Sequence, residues 1–420
     1  MNKADCAFIC GNFEESEAIL LEWVESEPTN AELLKKLGMI ALWKNDLQRA
    51  EDYFQKAVES RSLIDAVWPF NAEFNNLIAL MHLRADRFND SARFYGMASG
   101  PFGIGFIKET YLRQKQLSLF ENAPPYIIEG EDVTDIDFVI LDPLPVVKAR
   151  INGSEPVNFV IDTGGDDVFI DKDFAREINV DGVGKVPVAS GVFAGNKGAM
   201  CFAKIDALDV GDMRINNIPA TITDLQPIES LVFDGMPVKG IIGTRFLMHF
   251  LPTIDYKNKK LVLRRATDGN RKRFFDCLSS TICESIPFYL VHSHLMFAQG
   301  SFNGKNKGLY LIDTGLADAG FLSSQTVLKK SGVAMDWSKP FTGAGIGGSV
   351  KGIHVNIDEV ALGRGGHKVI SKNVKGVVLE KDLSLFDETL GFIVNGLISH
   401  QFFRDYALTL DFKGMLLILH

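Results

Sequence analysis

Apolar residues between positions 31 and 60 recur at helical spacing. Leu34, Leu37-Gly38 and Ala41 fall on one face, Ala50, Phe54 and Ala57 on the next, and Asn45-Asp46 is the polar break between them. The pattern predicts a helical hairpin. A shift back by 34 residues sets Ala7 under Ala41 and Gly11-Asn12 under Asn45-Asp46, with Pro28 closing the unit. A looser third copy carries Ile78, Asp86-Arg87, Ser91, Tyr95 and Ala98; its offset of 41 implies an insertion around 61–70. Helix is expected to continue to about 118. Pro124-Pro125 and the acidic run Glu129 to Asp132 then break the periodicity, so 119–134 reads as a linker. Beyond it, short apolar runs punctuated by glycine, asparagine and proline predict strands, with isolated helices after Asp171 and near Ser323-Ser324.

The strand region repeats itself. Asn158-Phe159-Val160-Ile161-Asp162-Thr163-Gly164 returns as Gly308-Leu309-Tyr310-Leu311-Ile312-Asp313-Thr314-Gly315, and an Asn-Gly pair precedes both aspartates at one interval (Asn152-Gly153 and Asn303-Gly304). Downstream, Val238-Lys239-Gly240-Ile241-Ile242-Gly243 aligns with Val394-Asn395-Gly396-Leu397-Ile398-Ser399, and Ile254-Asp255-Tyr256 with Leu410-Asp411-Phe412. These matches define two copies of one unit, 135–268 and 285–420, joined by a linker over 269–284. A carboxylate at the end of an apolar strand is costly to bury alone. Two in matching contexts are expected to face each other and share a proton.

Those residues resemble the pepsin-like and retropepsin-like aspartic proteases. An Asp-Thr-Gly at a strand end, followed some eighty residues later by two apolar residues and a glycine, is that family's pattern, and short copies ending in Ile-Asp-Tyr are most similar to its bacterial retropepsin-like branch. The resemblance covers roughly the C-terminal two thirds. The 34-residue period in the first 118 residues resembles the tetratricopeptide repeat. Together they imply a multidomain α and β protein: an N-terminal tetratricopeptide-like helical solenoid over 1–118, then two β-barrel acid-protease lobes. They imply Asp162 and Asp313 as the catalytic pair on one water, Thr163 and Thr314 locking the loops together, and Gly164 and Gly315 allowing close approach. A glycine-bounded hairpin tip, with Ser190, Gly191, Val192 and Phe193, is expected to cover a substrate side chain. Thr342 to Gly348 is the corresponding stretch of the second copy.

Two residues depart from the family pattern. Leu316 follows the second Asp-Thr-Gly where a small residue is usual, and Ser399 ends the second apolar motif. Leu316 is expected to crowd the site or shift the loop. The rival reading is therefore a protein of the same architecture that binds extended peptides without cleaving them. A further variant builds the aspartate pair between two chains. The helical repeats are open to two readings, a surface for a protein partner or a platform for the lobes.

Charge and composition narrow the classes. A formal charge of −9 excludes a nucleic-acid partner, and no apolar run is long enough to span a membrane. Five scattered cysteines (Cys6, Cys10, Cys201, Cys277, Cys283) suit free thiols in a reducing compartment, with one local Cys277–Cys283 disulfide as the alternative. No h-region opens the chain, which favours the cytoplasm for the sequence as given, or the periplasm or exterior if an N-terminal signal is missing. His292 and His294, two apart on an expected strand, lack further ligands at metal spacing, so neither a metal nor another cofactor is implied. Asp166, Asp167 and Asp318 read as solvated or capping residues. The basic stretch Arg264 to Arg273 reads as solvated linker.

Overall fold

Asparagine and aspartate side chains open the N-terminal helices. The computed structural model describes residues 2–60, 72–99, 106–187, 199–278, 283–345, 348–380 and 383–420. Its first seven helices are α1 (Lys3–Ile9), α2 (Phe13–Ser26), α3 (Ala31–Trp43), α4 (Leu47–Glu59), α5 (Ala72–Arg84), α6 (Phe88–Ser99) and α7 (Phe106–Ser118). Asn2, Asn30 and Asp46 accept hydrogen bonds from first-turn amides of α1, α3 and α4, satisfying donors a helix leaves unpaired. Gly11, Asn45 and Asp86 take left-handed φ values of 75°, 56° and 53° and turn the chain between successive helices. Gly38 lets α3 and α4 touch, since a Cβ there would lie 2.5 Å from the Phe54 ring. The insertion expected around 61–70 lies outside the described residues.

Both expected linkers contain regular structure. Ile127–Gly130 pairs with residues 213–216, and Val133–Asp137 pairs with Lys260–Arg264, so the stretch over 119–134 is partly sheet. Asp268–Leu278 is a helix, with Phe274 and Leu278 packed against Leu251 and Ile418. Its polar composition masked a narrow apolar stripe.

The repeated unit folds twice into the same ring of strands. In the first copy these are β1 (Val146–Ile151), β2 (Val157–Ile161), β3 (Val168–Asp171), β4 (Ala199–Val210), β5 (Met213–Thr223) and β6 (Gly240–Ile242). They pair in the closed order β1-β2-β6-β3-β5-β4 and back to β1. The second copy supplies β7 (Leu295–Phe302), β8 (Lys305–Asp313), β9 (Phe321–Ser323), β10 (Gly348–Arg364), β11 (His367–Leu379) and β12 (Val394–Ser399). These close as β7-β8-β12-β9-β11-β10. Matching short helices follow β3 and β9, capped by Asp171 and Ser324.

A shared sheet ties the copies together. Residues 133–137, 260–264, 253–255, 407–411, 416–419 and 284–291 pair in that order. At its centre Thr253 and Thr409, equivalent residues of the two copies, face each other with hydroxyls 2.7 Å apart. A pseudo-twofold axis therefore runs between them.

The helices share their core with the strands. Phe13 lies 4.7 Å from Tyr289 and 5.4 Å from Phe392, and Trp43 lies 5.6 Å from Phe392, ring centre to ring centre. On the first copy's side, Phe88 packs on Phe120 and Tyr126. Aromatic seams of this size dominate packing energy, so the helical layer is not loosely tethered.

Candidate active site

The strands β2 and β8 end at Asp162 and Asp313, and each is flanked by the apolar strand of its own copy. The Asp162 amide donates to the Ile242 carbonyl at 3.0 Å, and Asp313 pairs with Ser399 in a parallel ladder. Both chains leave their strands aimed at the pseudo-twofold axis.

There the loops interlock through their threonines. The Thr163 amide donates to Thr314 Oγ1 and the Thr314 amide to Thr163 Oγ1, both at 3.0 Å. Each hydroxyl then donates across the axis, Thr163 to the Ile312 carbonyl and Thr314 to the Ile161 carbonyl, both at 2.9 Å. All four bonds are buried, and no donor or acceptor in the ring is left over. Above them the carboxyl groups of Asp162 and Asp313 hydrogen-bond to each other. Asp162 Oδ1 also accepts the Gly164 amide at 2.8 Å, and Asp313 Oδ1 the Gly315 amide at 2.9 Å.

Glycine is required here for space. A Cβ on Gly164 would sit 2.7 Å from Asp313 Oδ1, and one on Gly315 would sit 2.3 Å from Asp162 Oδ1. Each loop's glycine thus abuts the other loop's carboxylate. The pair meets within one chain, so the variant with aspartates from two chains is not what this structure contains.

Burial raises the Asp162 carboxyl above its ordinary range, opposed by the Gly164 amide. Burial, then the charge of Asp162, pushes Asp313 up further. The pair therefore holds one proton through a range where isolated carboxylates are ionised.

Leu316 is half-buried in apolar surroundings. It packs against the apolar cluster containing Leu322 and Leu397, while its carbonyl meets His400 Nδ1 at 3.2 Å. Ser399 is fully buried and its hydroxyl donates to the Ala319 carbonyl.

Asp166 and Asp167 are not solvated. Asp166 pairs with Arg113 of α7 at 2.9 Å. Asp167 accepts from Tyr126 Oη and faces Arg245 at 3.6 Å. Burial opposes ionisation of Asp166, but Arg113, His294 and Arg245 outweigh it and hold the carboxyl down at about 2. Burial lifts Asp167 to about 6 despite Arg245. Asp318, their counterpart, is exposed. His292 and His294 occupy a turn rather than a strand, and His292 has φ 51°.

Arg84, Arg113, Tyr126 and Arg245 are the residues that spacing did not single out. Arg245 offered a faint signal, two positions past the Ile241-Ile242-Gly243 motif. The others come from the helical layer and linker, and only the fold brings them to the loop.

The hairpin tip with Ser190, Gly191, Val192 and Phe193 lies outside the described residues. In the second copy, Phe341–Gly345 pairs with 348–352 as a hairpin, and Phe341 stacks on His354 at 4.5 Å. A cavity of about 320 Å³ lies elsewhere, between the helices and the sheets, lined by Arg84, Arg245, His249 and Phe412. Among the described residues, no three His, Cys, Asp or Glu side chains converge as metal ligands, and no helix is long and apolar enough to cross a membrane. All five cysteines are free thiols.

Comparison with known proteins matches residues 147–246 to a family model described as aspartyl protease. The match spans the first copy from β1 through Asp162 to just past Gly243. No curated protein matches the chain. Among solved structures, the crystal structure of a retropepsin-like aspartic protease from Rickettsia conorii is 17% identical and covers 33% of this chain and 94% of its own. Its TM-score of 0.22 is too low to bear on the fold.

Proposed function

We propose that this chain is an aspartic endopeptidase whose catalytic pair is Asp162 and Asp313. The observation that carries the reading is the contact between the two carboxyls across the threonine ring, with each glycine set against the opposite carboxylate. The aspartyl protease match over 147–246 supports it.

In the reaction the pair carries one proton between its two carboxyls, and the steps are written with Asp162 as the ionised member and Asp313 as the protonated one. The Asp162 carboxylate takes a proton from a bridging water as the water oxygen attacks the peptide carbonyl carbon. Asp313 gives its proton to the carbonyl oxygen, which yields a neutral tetrahedral diol. Asp162, now protonated, gives its proton to the leaving nitrogen as the C–N bond breaks, while one diol hydroxyl returns its proton to the Asp313 carboxylate, so an acid and an amine leave and the pair again holds one proton. An extended peptide would lie across the two barrels, under the hairpin tip carrying Ser190 to Phe193. The tetratricopeptide-like solenoid acts here as lobe support, a reading favoured by the aromatic seam of Phe13, Trp43, Tyr289 and Phe392.

The test is digestion of a peptide library by the full chain from acidic to neutral pH, with and without a statine-type transition-state mimic. Asp162→Asn and Asp313→Asn are each expected to abolish cleavage with the thermal midpoint retained. Activity surviving in either variant sinks the assignment, and tight binding of peptides without turnover in the wild type favours the non-cleaving reading.

The pH profile follows from the raised carboxyls. Below the lower apparent pKa both are protonated and neither can accept from water; above the upper one neither has a proton to give. The profile is expected to be a bell with both limbs above the ordinary aspartate value of 3.8. Activity climbing steadily as pH drops below that value would contradict it.

A further inference from the structure

Gly164 lies between its own loop and a turn of the second copy. Its amide donates to Asp162 Oδ1, and the His294 ring lies close to its backbone. His294 belongs to the turn that precedes β7 in the second copy. Its Nδ1 lies 2.8 Å from Ser293 Oγ and 3.5 Å from Asp166 Oδ1. Asp166 stands two residues beyond Gly164 and accepts from Arg113 Nη2 at 2.9 Å. Arg113 of α7, Asp166 and His294 therefore sit side by side against the loop that carries Asp162.

Each of the three is anchored. The Arg113 guanidinium lies 4.1 Å over the Phe202 ring, and its Nη1 donates to Gln116 at 3.0 Å. Gln116 in turn donates to the carbonyls of Ala203 and Ala220, so α7 is bonded to the first barrel beside the ion pair. The turn containing His294 is fastened from another helix. Arg84 of α5 donates to the carbonyls of Leu290 and His292 while also donating to Leu42 at the end of α3. Both side chains of the Arg113–Asp166 pair are only 14% exposed, so solvent screens the pair little.

We propose that Arg113, Asp166 and His294 are positioning residues for the loop 162–166, so that peptide cleavage depends on an arginine supplied by the helical layer. The inference rests on the endopeptidase reading. None of the three touches the reacting atoms. They brace the loop at Asp166, two residues beyond Gly164, and with it the direction of the Asp162 carboxyl toward Asp313. A displacement of the order of 1 Å at a catalytic group costs about a hundredfold in rate.

The experiment compares the full-length wild type with Arg113→Ala, Arg113→Lys, His294→Leu and His294→Gln. Steady-state cleavage is paired with amide exchange of the segment 157–171 followed by mass spectrometry. Arg113→Ala and His294→Leu are expected to lower kcat roughly 10- to 100-fold with KM changed less than threefold, and to speed exchange in that segment. Arg113→Lys and His294→Gln, which keep a donor, should recover part of both. Arg49→Ala, which breaks a half-exposed ion pair with Glu17 in the same helical layer, should leave both at wild-type values. An unchanged kcat in Arg113→Ala overturns the inference while the endopeptidase reading stands. Equal loss in Arg49→Ala also overturns it, because the effect would then be general loosening. A wild type that does not cleave ends the endopeptidase reading, and the exchange arm still decides whether the clamp exists.

Discussion

At the pseudo-twofold axis the loops 162–165 and 313–316 exchange the same bonds at nearly the same lengths. One layer further out they part company. The first loop is set in buried charge, with Asp166 on Arg113 and Asp167 facing Arg245 and Tyr126. The second has Ala317 and the exposed Asp318 at those positions, and is held by backbone and by Ser399 and His400. The supporting turns differ likewise. The amides of Gly243, Thr244 and Arg245 donate in sequence to the carbonyls of Asp167, Gly165 and Asp166. In the second copy the Ser399 amide donates to Gly320 and its hydroxyl to Ala319. Symmetry is kept where two carboxyls must face one another and relaxed where each loop only needs a wall behind it. The wall of the first copy is built partly by the helices, and that of the second by its own barrel.

If the symmetric part works as one ring, breaking either half should cost the same. Thr163→Val removes a hydroxyl that both accepts the Thr314 amide and donates to Ile312, so one buried N–H and one buried C=O lose their partner. Thr314→Val does the same to the Thr163 amide and Ile161. Each stranded group costs about 1–3 kcal/mol, so either variant should lose about 2–6 kcal/mol. Denaturant titration followed by two probes checks this, since a chain of this size need not unfold in one step. Thr→Ser at either position should recover most of the loss. A difference between the two valine variants above about 1 kcal/mol would mean that one loop carries the lock alone.

The sequence exposed the symmetric part because symmetry leaves a repeat in the letters. Asp162, Asp313, their threonines and glycines, and the matching strands all stand at equal offsets. The asymmetric part left no repeat to find. Arg113 and Arg84 are ordinary helix residues by composition, and Asp166 reads as solvated until the fold buries it against α7. The helix Asp268–Leu278 was hidden for a related reason. Its apolar residues, Phe274, Phe275 and Leu278, are too few to outweigh the charges around them, yet two suffice to pack on Leu251 and Ile418. Leu316 was read from its bulk alone. Whether a large side chain crowds a site depends on where the neighbouring apolar surface lies, and Leu316 packs against the cluster that includes Leu322 and Leu397.

The supporting turns permit a reciprocal exchange that sharpens the same contrast. At Gly243 an added Cβ would lie 2.5 Å from the Asp167 carbonyl oxygen and 2.7 Å from those of Asp166 and Gly165. These three oxygens already accept the amides of Gly243, Arg245 and Thr244, so none can retreat without giving up a bond. Gly243→Ser, which installs the second copy's residue in the first, should therefore cost about 3 kcal/mol, the upper part of the usual overpacking range, and displace the loop that bears Asp162. The reverse change meets no clash. Ser399→Gly loses the hydroxyl bond to Ala319 and the cap on the Gln401 amide at 3.0 Å, worth about 2 kcal/mol together, and leaves the backbone pairing of Asp313 in place. Thermal midpoints of the two variants give the comparison directly. Equal losses would show that the two walls are interchangeable. A larger loss from Ser399→Gly would mean that the serine hydroxyl, and not the ladder beneath it, holds the second loop in place.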